Sequence, residues 1–303
     1  MAMPGGGGGA RRVGVVGLGT MGGAMAGHLI DAGFRVTGVD VDPEARRRLE
    51  ARGGRIAKTP AELRGEVEVV LLSLPSVAAF EAVVGGPGGL VETAEGTGAA
   101  VVVETSTLPL DRKEWARELL AAAGCTLLDC PISGTGAQMA ERDVVYYASG
   151  DPEAIEIARP FLAACGREVF DLGAFGNGTR LKLIANHLVA VHNAASAEAM
   201  LLVRALGIDP GRALAGLTAG AGTSRILELR GPLMAEGRYE PATMKVEVFQ
   251  KDVDIIAGLA RELRCPLPVF AAAAQLNLAA LAMGMGTLDT ACLHAVLAAW
   301  RRQ

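Results

Sequence analysis

A glycine-rich turn between a strand and a helix is the feature that most constrains this chain. The β-branched run Arg12–Gly17 leads into the turn, and a helical segment, Gly23–Asp31, follows it. The turn consists of Gly17, Leu18, Gly19, Thr20, Met21 and Gly22. Glycines at these three positions allow a tight turn, a close approach of the backbone to a pyrophosphate and close packing of helix on strand. The spacing predicts a dinucleotide-binding unit with the phosphates at the helix N-terminus, although the motif alone also fits a methyltransferase of similar architecture.

An acidic residue ends the next predicted strand, Arg35–Asp40. The Asp40 carboxylate can accept hydrogen bonds from both hydroxyls of an adenosine ribose, whereas its charge would repel a 2′-phosphate. We therefore predict NAD as the cofactor in preference to NADP. The basic run Arg46–Arg48 follows on a helix face that we expect to be solvated rather than bound to phosphate.

The first half of the chain alternates β-branched runs with helix-like segments, which predicts a doubly wound α/β domain with a parallel sheet. The expected strands are Arg12–Gly17, Arg35–Asp40, Val67–Ser73, Ala99–Glu104, Thr126–Asp129, Val144–Ser149 and Glu168–Asp171. Beyond Gly173 the β-rich runs stop and apolar residues recur at helical spacing. We expect a flexible leader over residues 1–10, a Rossmann domain over 11–175 and an all-helical substrate and dimerisation domain over 176–303.

The composition narrows the function classes. Half of the 303 residues are hydrophobic and 20% are charged, which excludes a largely disordered chain. Aromatic residues make up 4% and the net charge is -4, so nucleic acid is not an expected partner. The five cysteines show no zinc-type spacing, and we expect them to be reduced in the cytoplasm, with no metal bound. The apolar stretch Phe270–Met285 is too short for a membrane span and is expected to be buried or between subunits.

Two polar residues share one face of the helix that the apolar spacing predicts from Thr179 to about Leu206. Lys182 and Asn186 are four residues apart in an otherwise apolar run. Partial burial at a domain boundary favours the neutral amine, which can accept a proton. The alternative for Lys182 taken alone is a structural lysine whose charged end reaches the solvent.

Hydroxyl and backbone donors follow several of the predicted strands. Ligands of open α/β sheets bind at the carboxyl edge, where these segments would meet. After the strand Thr126–Asp129, the Ser133 hydroxyl with the N–H groups of Gly134 and Thr135 would form a nest for a carboxylate, the alternative being a simple loop. Other strand ends would place Thr107 near a nicotinamide and Leu74 and Pro75 near an adenosine.

These segments together resemble the β-hydroxyacid dehydrogenase family, which includes 3-hydroxyisobutyrate dehydrogenase, and within it the threonate-type branch. The resemblance covers Val13 to about Leu297. It implies oxidation of a small hydroxycarboxylate by hydride transfer to the nicotinamide, and a homodimer or homotetramer. It also implies site roles: Lys182 as general acid/base, Asn186 orienting the substrate, Ser133 and Gly134 binding its carboxylate, Thr107 beside the nicotinamide and Lys251 lining the cleft.

Two positions depart from the family pattern. Thr135 stands where a second glycine is common, so its side chain would narrow or re-polarise the substrate pocket. Arg225 stands where an aromatic residue is common, and it either recognises a second anionic group of the substrate or faces solvent.

Two other functions share this architecture. Imine reductases are expected to carry an acid or a tyrosine where Lys182 stands. A non-catalytic NAD-binding interaction protein is disfavoured by the joint presence of Lys182, Asn186 and Ser133.

Overall fold

The computed structural model describes residues 10–92 and 101–301. The chain divides after Lys182 into two compact units. The expected leader lies outside the described residues except for Ala10, as do the first two residues of the expected strand Ala99–Glu104.

The first unit is built on a parallel sheet of six strands. Along the chain these are β1 Arg12–Val16, β2 Arg35–Val39, β3 Arg55–Ile56, β4 Val69–Leu72, β5 Val101–Glu104 and β6 Thr126–Asp129. Their order across the sheet is β3-β2-β1-β4-β5-β6, and every pairing is parallel. The chain direction across the sheet reverses between β1 and β4, the place where open α/β sheets bind ligands.

A second, smaller sheet follows. It contains β7 Ile132–Ser133, β8 Val145–Ala148 and β9 Glu168–Asp171, with β7 and β8 antiparallel and β8 and β9 parallel. The expected strands Val144–Ser149 and Glu168–Asp171 are therefore present but do not extend the six-stranded sheet. An isolated bridge between Asp129 and Ser149 joins the end of β6 to the end of β8.

Helices cover both faces of the six-stranded sheet. They are α1 Thr20–Asp31, α2 Pro43–Ala51, α3 Val77–Gly85, α4 Leu110–Ala122, α5 Gly136–Ala140 and α6 Pro152–Cys165. Alternate strand residues point to opposite faces, so Val13, Val15 and Leu71 belong to one buried cluster and Val16 and Leu72 to another. This burial on both faces explains why the strands are continuous apolar runs, and it confirms the predicted doubly wound fold.

The second unit is helical. It continues α7 Asn177–Ala205 and adds α8 Pro210–Ala219, α9 Arg225–Glu236, α10 Val246–Glu262, α11 Pro268–Ala282 and α12 Leu293–Arg301. Two of these helices begin with a local cap: the Asp209 side chain accepts the Arg212 N–H of α8, and the Ser224 hydroxyl accepts the Leu227 N–H of α9. The apolar face of α10 buries Val246, Phe249, Val253 and Ile256 at helical spacing.

Candidate functional site

The turn between β1 and α1 is closed by two glycines that leave no room for a side chain. Gly17 has φ +87°, and a Cβ atom there would lie 2.1 Å from the carbonyl oxygen of Ser73. A Cβ atom on Gly22 would lie 1.8 Å from the carbonyl oxygen of Gly17. These two glycines are therefore required by the packing of β1, β4 and α1 on one another.

The middle glycine of the turn has a different role. A Cβ atom on Gly19 would meet nothing within 4 Å, and Gly19 and Thr20 are exposed at the start of α1. A cavity of about 350 Å³ adjoins them, lined by Leu18, Gly19, Thr20, Gly23, Ala24, Ala45, Arg48, Leu49 and Arg52. Open space over a helix N-terminus suits the pyrophosphate of a dinucleotide, so these residues fit a nicotinamide cofactor. Met21, also in the predicted motif, is half-buried within α1.

The Asp40 carboxylate is held at this turn by backbone donors. Its Oδ2 accepts the N–H of Leu18 at 2.5 Å and its Oδ1 accepts the N–H of Asp42 at 2.7 Å. Each carboxylate oxygen has a second lone pair that can accept a ribose hydroxyl. The arrangement therefore fixes the carboxylate at the edge of the turn while it keeps acceptor capacity.

The basic run on α2 lies partly beside the cavity. Arg47 is exposed and pairs with Glu44, whereas Arg48 contributes to the cavity wall with its side chain 62% exposed. The Arg48 Nη2 atom lies 3.9 Å from Asp42 Oδ2. Exposure agrees with a solvated arginine, and its place in the cavity wall was not foreseen from the sequence.

The segments after β4 and β5 are tied together at the same sheet edge. The Leu74 N–H donates to the Ser106 hydroxyl at 2.8 Å, and the Thr105 hydroxyl donates to the Leu72 carbonyl at 2.6 Å. Pro75 is exposed and Thr107 is half-buried in these segments. Both segments follow strands that are neighbours of one another in the sheet.

The predicted carboxylate nest is altered by a helix cap. Thr135 is the N-cap of α5: its hydroxyl accepts the Gln138 N–H at 3.4 Å, and its own N–H donates to Gln138 Oε1 at 3.0 Å. The Thr135 N–H completes a capping box in the structure, and its predicted part in binding the substrate carboxylate stays a prediction. The half-buried Ser133 hydroxyl and the Gly134 N–H are the donors left from the predicted nest.

This segment lies against the start of α1. A Cβ atom on Gly136 would be 2.4 Å from Cγ2 of Thr20. The His28 ring Nε2 on α1 also hydrogen-bonds the Met139 carbonyl of α5 at 2.8 Å. The structure thus brings two predicted segments together within the first unit, the glycine-rich turn and the residues following β7.

Lys182 and Asn186 lie in successive turns of α7, and both are buried, with 9% and 5% of their surface exposed. The Asn186 Nδ2 donates to Asp252 Oδ2 on α10 at 2.8 Å. Asp252 is itself 8% exposed, and Lys251 Nζ lies 3.5 Å from its Oδ1. The sequence drew attention to Lys251 in this pair, whereas the structure adds Asp252 as the side chain that orients the Asn186 amide.

Arg225 begins α9 and forms an ion pair there. Its Nη1 lies 3.0 Å from Glu228 Oε2, one helical turn away, with the Arg225 side chain 61% exposed. The anion-binding role of Arg225 stays a prediction.

Residues 10–92 and 101–301 contain neither a candidate metal cluster nor a candidate membrane-spanning helix. Within them, no three His, Cys, Asp or Glu side chains are grouped so that they could hold a metal ion. In the same ranges, no helix is both long enough and apolar enough to cross a membrane.

Comparison with known proteins decides the family. Residues 12–173 match the NAD binding domain of 6-phosphogluconate dehydrogenase, and residues 176–297 match the NAD-binding domain of NADP-dependent 3-hydroxyisobutyrate dehydrogenase. The chain belongs to the β-hydroxyacid dehydrogenase family. The predicted resemblance is confirmed.

Individual relatives agree with that assignment. L-Threonate dehydrogenase of Cupriavidus necator is 36% identical over 92% of this chain and 93% of its own length. 3-Sulfolactaldehyde reductase of Escherichia coli is 31% identical over 90% of this chain and 91% of its own. The crystal structure of 3-hydroxyisobutyrate dehydrogenase from Salmonella typhimurium superposes with a TM-score of 0.83 at 29% identity, covering 94% of this chain and 99% of that one.

The family therefore identifies the chain as a nicotinamide-dependent oxidoreductase. These matches favour a hydroxyacid dehydrogenase over an imine reductase or a non-catalytic binding protein. Since the matching models and relatives include NADP as well as NAD, they do not distinguish the two cofactors.

Proposed function

We propose that this enzyme oxidises the hydroxyl group of a small hydroxycarboxylate of the threonate or 3-hydroxyisobutyrate kind, with NAD as the preferred cofactor and Lys182 as the general base. The observation that carries the proposal is the pair of buried polar side chains on α7, Lys182 and Asn186, in an otherwise apolar stretch. Relatives that act on small hydroxy acids and aldehydes, aligned over nine-tenths of the chain, support the substrate class.

The chemistry that the nicotinamide supplies when bound is hydride uptake from the carbon that carries the hydroxyl. Lys182, as a neutral amine, accepts the hydroxyl proton, and as an ammonium it returns the proton in the reverse reduction. The Asn186 Nδ2 donates a hydrogen bond to Asp252, and so the Asn186 Oδ1 is the atom that accepts a hydrogen bond from the substrate. The Ser133 hydroxyl and the Gly134 N–H bind the carboxylate. These residues contribute mainly by orienting the substrate.

A substrate panel tests the proposed reaction. Reduced nicotinamide formation is followed by absorbance with L-threonate, 3-hydroxyisobutyrate, L-serine and D-glycerate, each with NAD and with NADP. We expect turnover with at least one of these acids and a higher kcat/KM with NAD. Protein that binds NAD and turns over none of them, yet reduces a cyclic imine, would move the assignment to an imine reductase.

The cofactor preference depends on Asp40. We expect Asp40→Ala to raise the Kd for NAD about 10- to 100-fold, the worth of hydrogen bonds to a charged acceptor, and to improve binding of NADP relative to NAD because the repulsion of the 2′-phosphate is lost. Titration calorimetry with both cofactors measures this. Arg47→Ala is the control: Arg47 lies on the same helix, is exposed, pairs with Glu44 and does not line the cavity, so its loss is expected to leave the Kd for NAD unchanged. Equal weakening of NAD and NADP by Asp40→Ala would mean that Asp40 only holds the turn.

We also propose a homodimer or homotetramer in the cytoplasm. The helical unit exposes the large apolar side chains of Ile184, Leu188 and Leu202 on α7 and of Leu206 directly after it, which an isolated chain would leave in water. All five cysteines are free thiols, in keeping with a reducing compartment.

A further inference from the structure

Three charged side chains are fully buried together beside the carboxyl ends of β5 and β6. Lys113, from α4, places its Nζ 2.6 Å from Glu104 Oε2 and 2.8 Å from Asp129 Oδ1, and all three side chains are 0% exposed. We call this set the ion triad. Burying three charges destabilises the folded state unless each charge is paired and hydrogen-bonded.

The charges of the ion triad support one another. Burial by itself lowers the pKa of Lys113, but the adjacent Glu104 and Asp129 carboxylates outweigh it and raise the pKa above its usual value. Lys113 is therefore an ammonium at neutral pH, and the two carboxylates share a single cation. The remaining negative charge must be met by hydrogen-bond donors.

Those donors come from the first turn of α7. The Thr179 hydroxyl donates to Asp129 Oδ1 at 2.6 Å, and the Thr179 N–H donates to Asp129 Oδ2 at 2.7 Å. The Ser149 hydroxyl, 3.2 Å from Asp129 Oδ2, in turn accepts the Gly178 N–H at 2.9 Å. Asp129 thus accepts one N–H group at the helix N-terminus, where a negative charge is favourable, and Ser149 accepts a second.

The other side of the ion triad holds the segment after β5. Glu104 Oε1 accepts the Ser106 N–H at 2.8 Å, and Lys113 Nζ donates to the Ser106 carbonyl at 2.9 Å. Ser106 in turn accepts the Leu74 N–H. One buried ammonium therefore ties the segment that carries Thr107 to the helix start that carries Lys182 three residues after Thr179.

We propose that Lys113 is a positioning residue for the reaction: by pairing with both Glu104 and Asp129 it fixes the first turn of α7, and so the place of Lys182, relative to the segment after β5. The inference rests on the proposed role of Lys182 as the general base. A displacement of about 1 Å at a reacting group can lower the rate about 100-fold. Because the ion triad holds Thr179, one helical turn before Lys182, its loss can displace the Lys182 amine and lower kcat.

The chain offers a matched control. Arg64 is also a buried cation of the first unit, 5% exposed, but it donates to the carbonyl oxygens of Leu90 and Ala123. These two carbonyls lie outside α7 and outside the segment after β5, and Ala123 directly follows α4, the helix that carries Lys113 at its other end. Arg64→Met therefore removes a buried cation of the first unit while Glu104, Lys113, Asp129 and Thr179 are all kept.

The kinetic test uses L-threonate and NAD well below each variant's Tm. We expect Lys113→Met to lower kcat about 10- to 100-fold with the KM for NAD unchanged, and to shift the pH profile of kcat. Glu104→Gln combined with Lys113→Met returns the ion triad to its original net charge and should recover most of kcat. Thr179→Val leaves the charges in place, removes one hydrogen bond to Asp129, and should lower kcat in the same direction even if Lys113→Met fails to fold.

Hydrogen exchange gives a readout that does not depend on turnover. We expect Lys113→Met and Thr179→Val to speed amide exchange in residues 177–186, and Arg64→Met to leave it unchanged. The proposal is overturned if kcat and exchange at 177–186 are as in the wild type in both variants, or if Arg64→Met lowers kcat equally. If Lys182→Ala keeps its turnover, the general-base assignment fails, and exchange still decides whether Lys113 anchors α7.

Discussion

Replacement of Lys182 by alanine is expected to lower kcat about 10²- to 10⁴-fold, the usual loss when a general acid/base is removed. Lys182 is buried in an apolar stretch of α7, beside an asparagine whose amide Asp252 orients. A general base must offer a lone pair to the hydroxyl proton, and the alanine side chain has none. The affinity for NAD should change little, because the residues proposed for its adenosine and pyrophosphate lie on the turn after β1 and at Asp40. Steady-state kinetics and fluorescence titration with NAD separate the two quantities.

Arg180→Ala is the matched control for this variant. Arg180 is an exposed cation two residues earlier on the same helix, paired with the Asn177 side chain at 3.0 Å. Its loss removes a positive charge from the same helical turn and should leave kcat unchanged. Near-normal turnover of Lys182→Ala would show that another group accepts the proton. An equal loss of kcat in Arg180→Ala would show that the loss comes from a change in this helical turn and not from the Lys182 amine.

The residues that the sequence predicted well are those whose role is local or periodic. At Gly17–Gly22 the spacing of the glycines is by itself enough to predict a tight turn between a strand and a helix. The strands of a sheet that is covered on both faces must be continuous apolar runs, which can be read directly from the sequence. Helix α7 was expected from Thr179 to about Leu206 and is found over Asn177–Ala205. In each of these cases a single stretch of chain contains the whole signal.

The features that the sequence did not predict depend on distant partners or on very short elements. Strands β3 and β7 have two residues each, too few for an alternating pattern to be seen. Lys113 lies in a charged stretch that is typical of a helix surface, and only the fold brings it to Glu104 and Asp129. The sequence did not predict that Thr135 caps α5 through its N–H and hydroxyl, and its expected effect on the substrate pocket stays a prediction. The hydrogen bond from Asn186 to Asp252 could not be predicted from the sequence, because the two residues are 66 positions apart in the chain.

Substitutions of the glycines in the turn after β1 are expected to have the second large effect, on the free energy of unfolding. Gly22 is needed for packing, whereas Gly19 faces open space. Gly22→Ala is expected to lower the free energy of unfolding by about 3 kcal/mol or more, since its Cβ atom would lie 1.8 Å from a backbone oxygen that cannot move without separating β1 from α1. Gly19→Ala is expected to change that free energy by less than about 0.5 kcal/mol, because its Cβ atom meets nothing within 4 Å. Urea unfolding of the two variants beside the wild type measures both values.

Cofactor binding should separate the same two variants in the opposite sense. The methyl group of Gly19→Ala would project into the open space over the start of α1, so the Kd for NAD should rise at least about tenfold, or 1.4 kcal/mol, while the fold is retained. Whatever fraction of Gly22→Ala is folded should lose affinity only through distortion of the turn. Unchanged NAD affinity in a folded Gly19→Ala variant would mean that the pyrophosphate does not approach the backbone there. In that case the cavity between α1 and α2 would not be part of the cofactor site, and the preference for NAD could no longer be argued from Asp40.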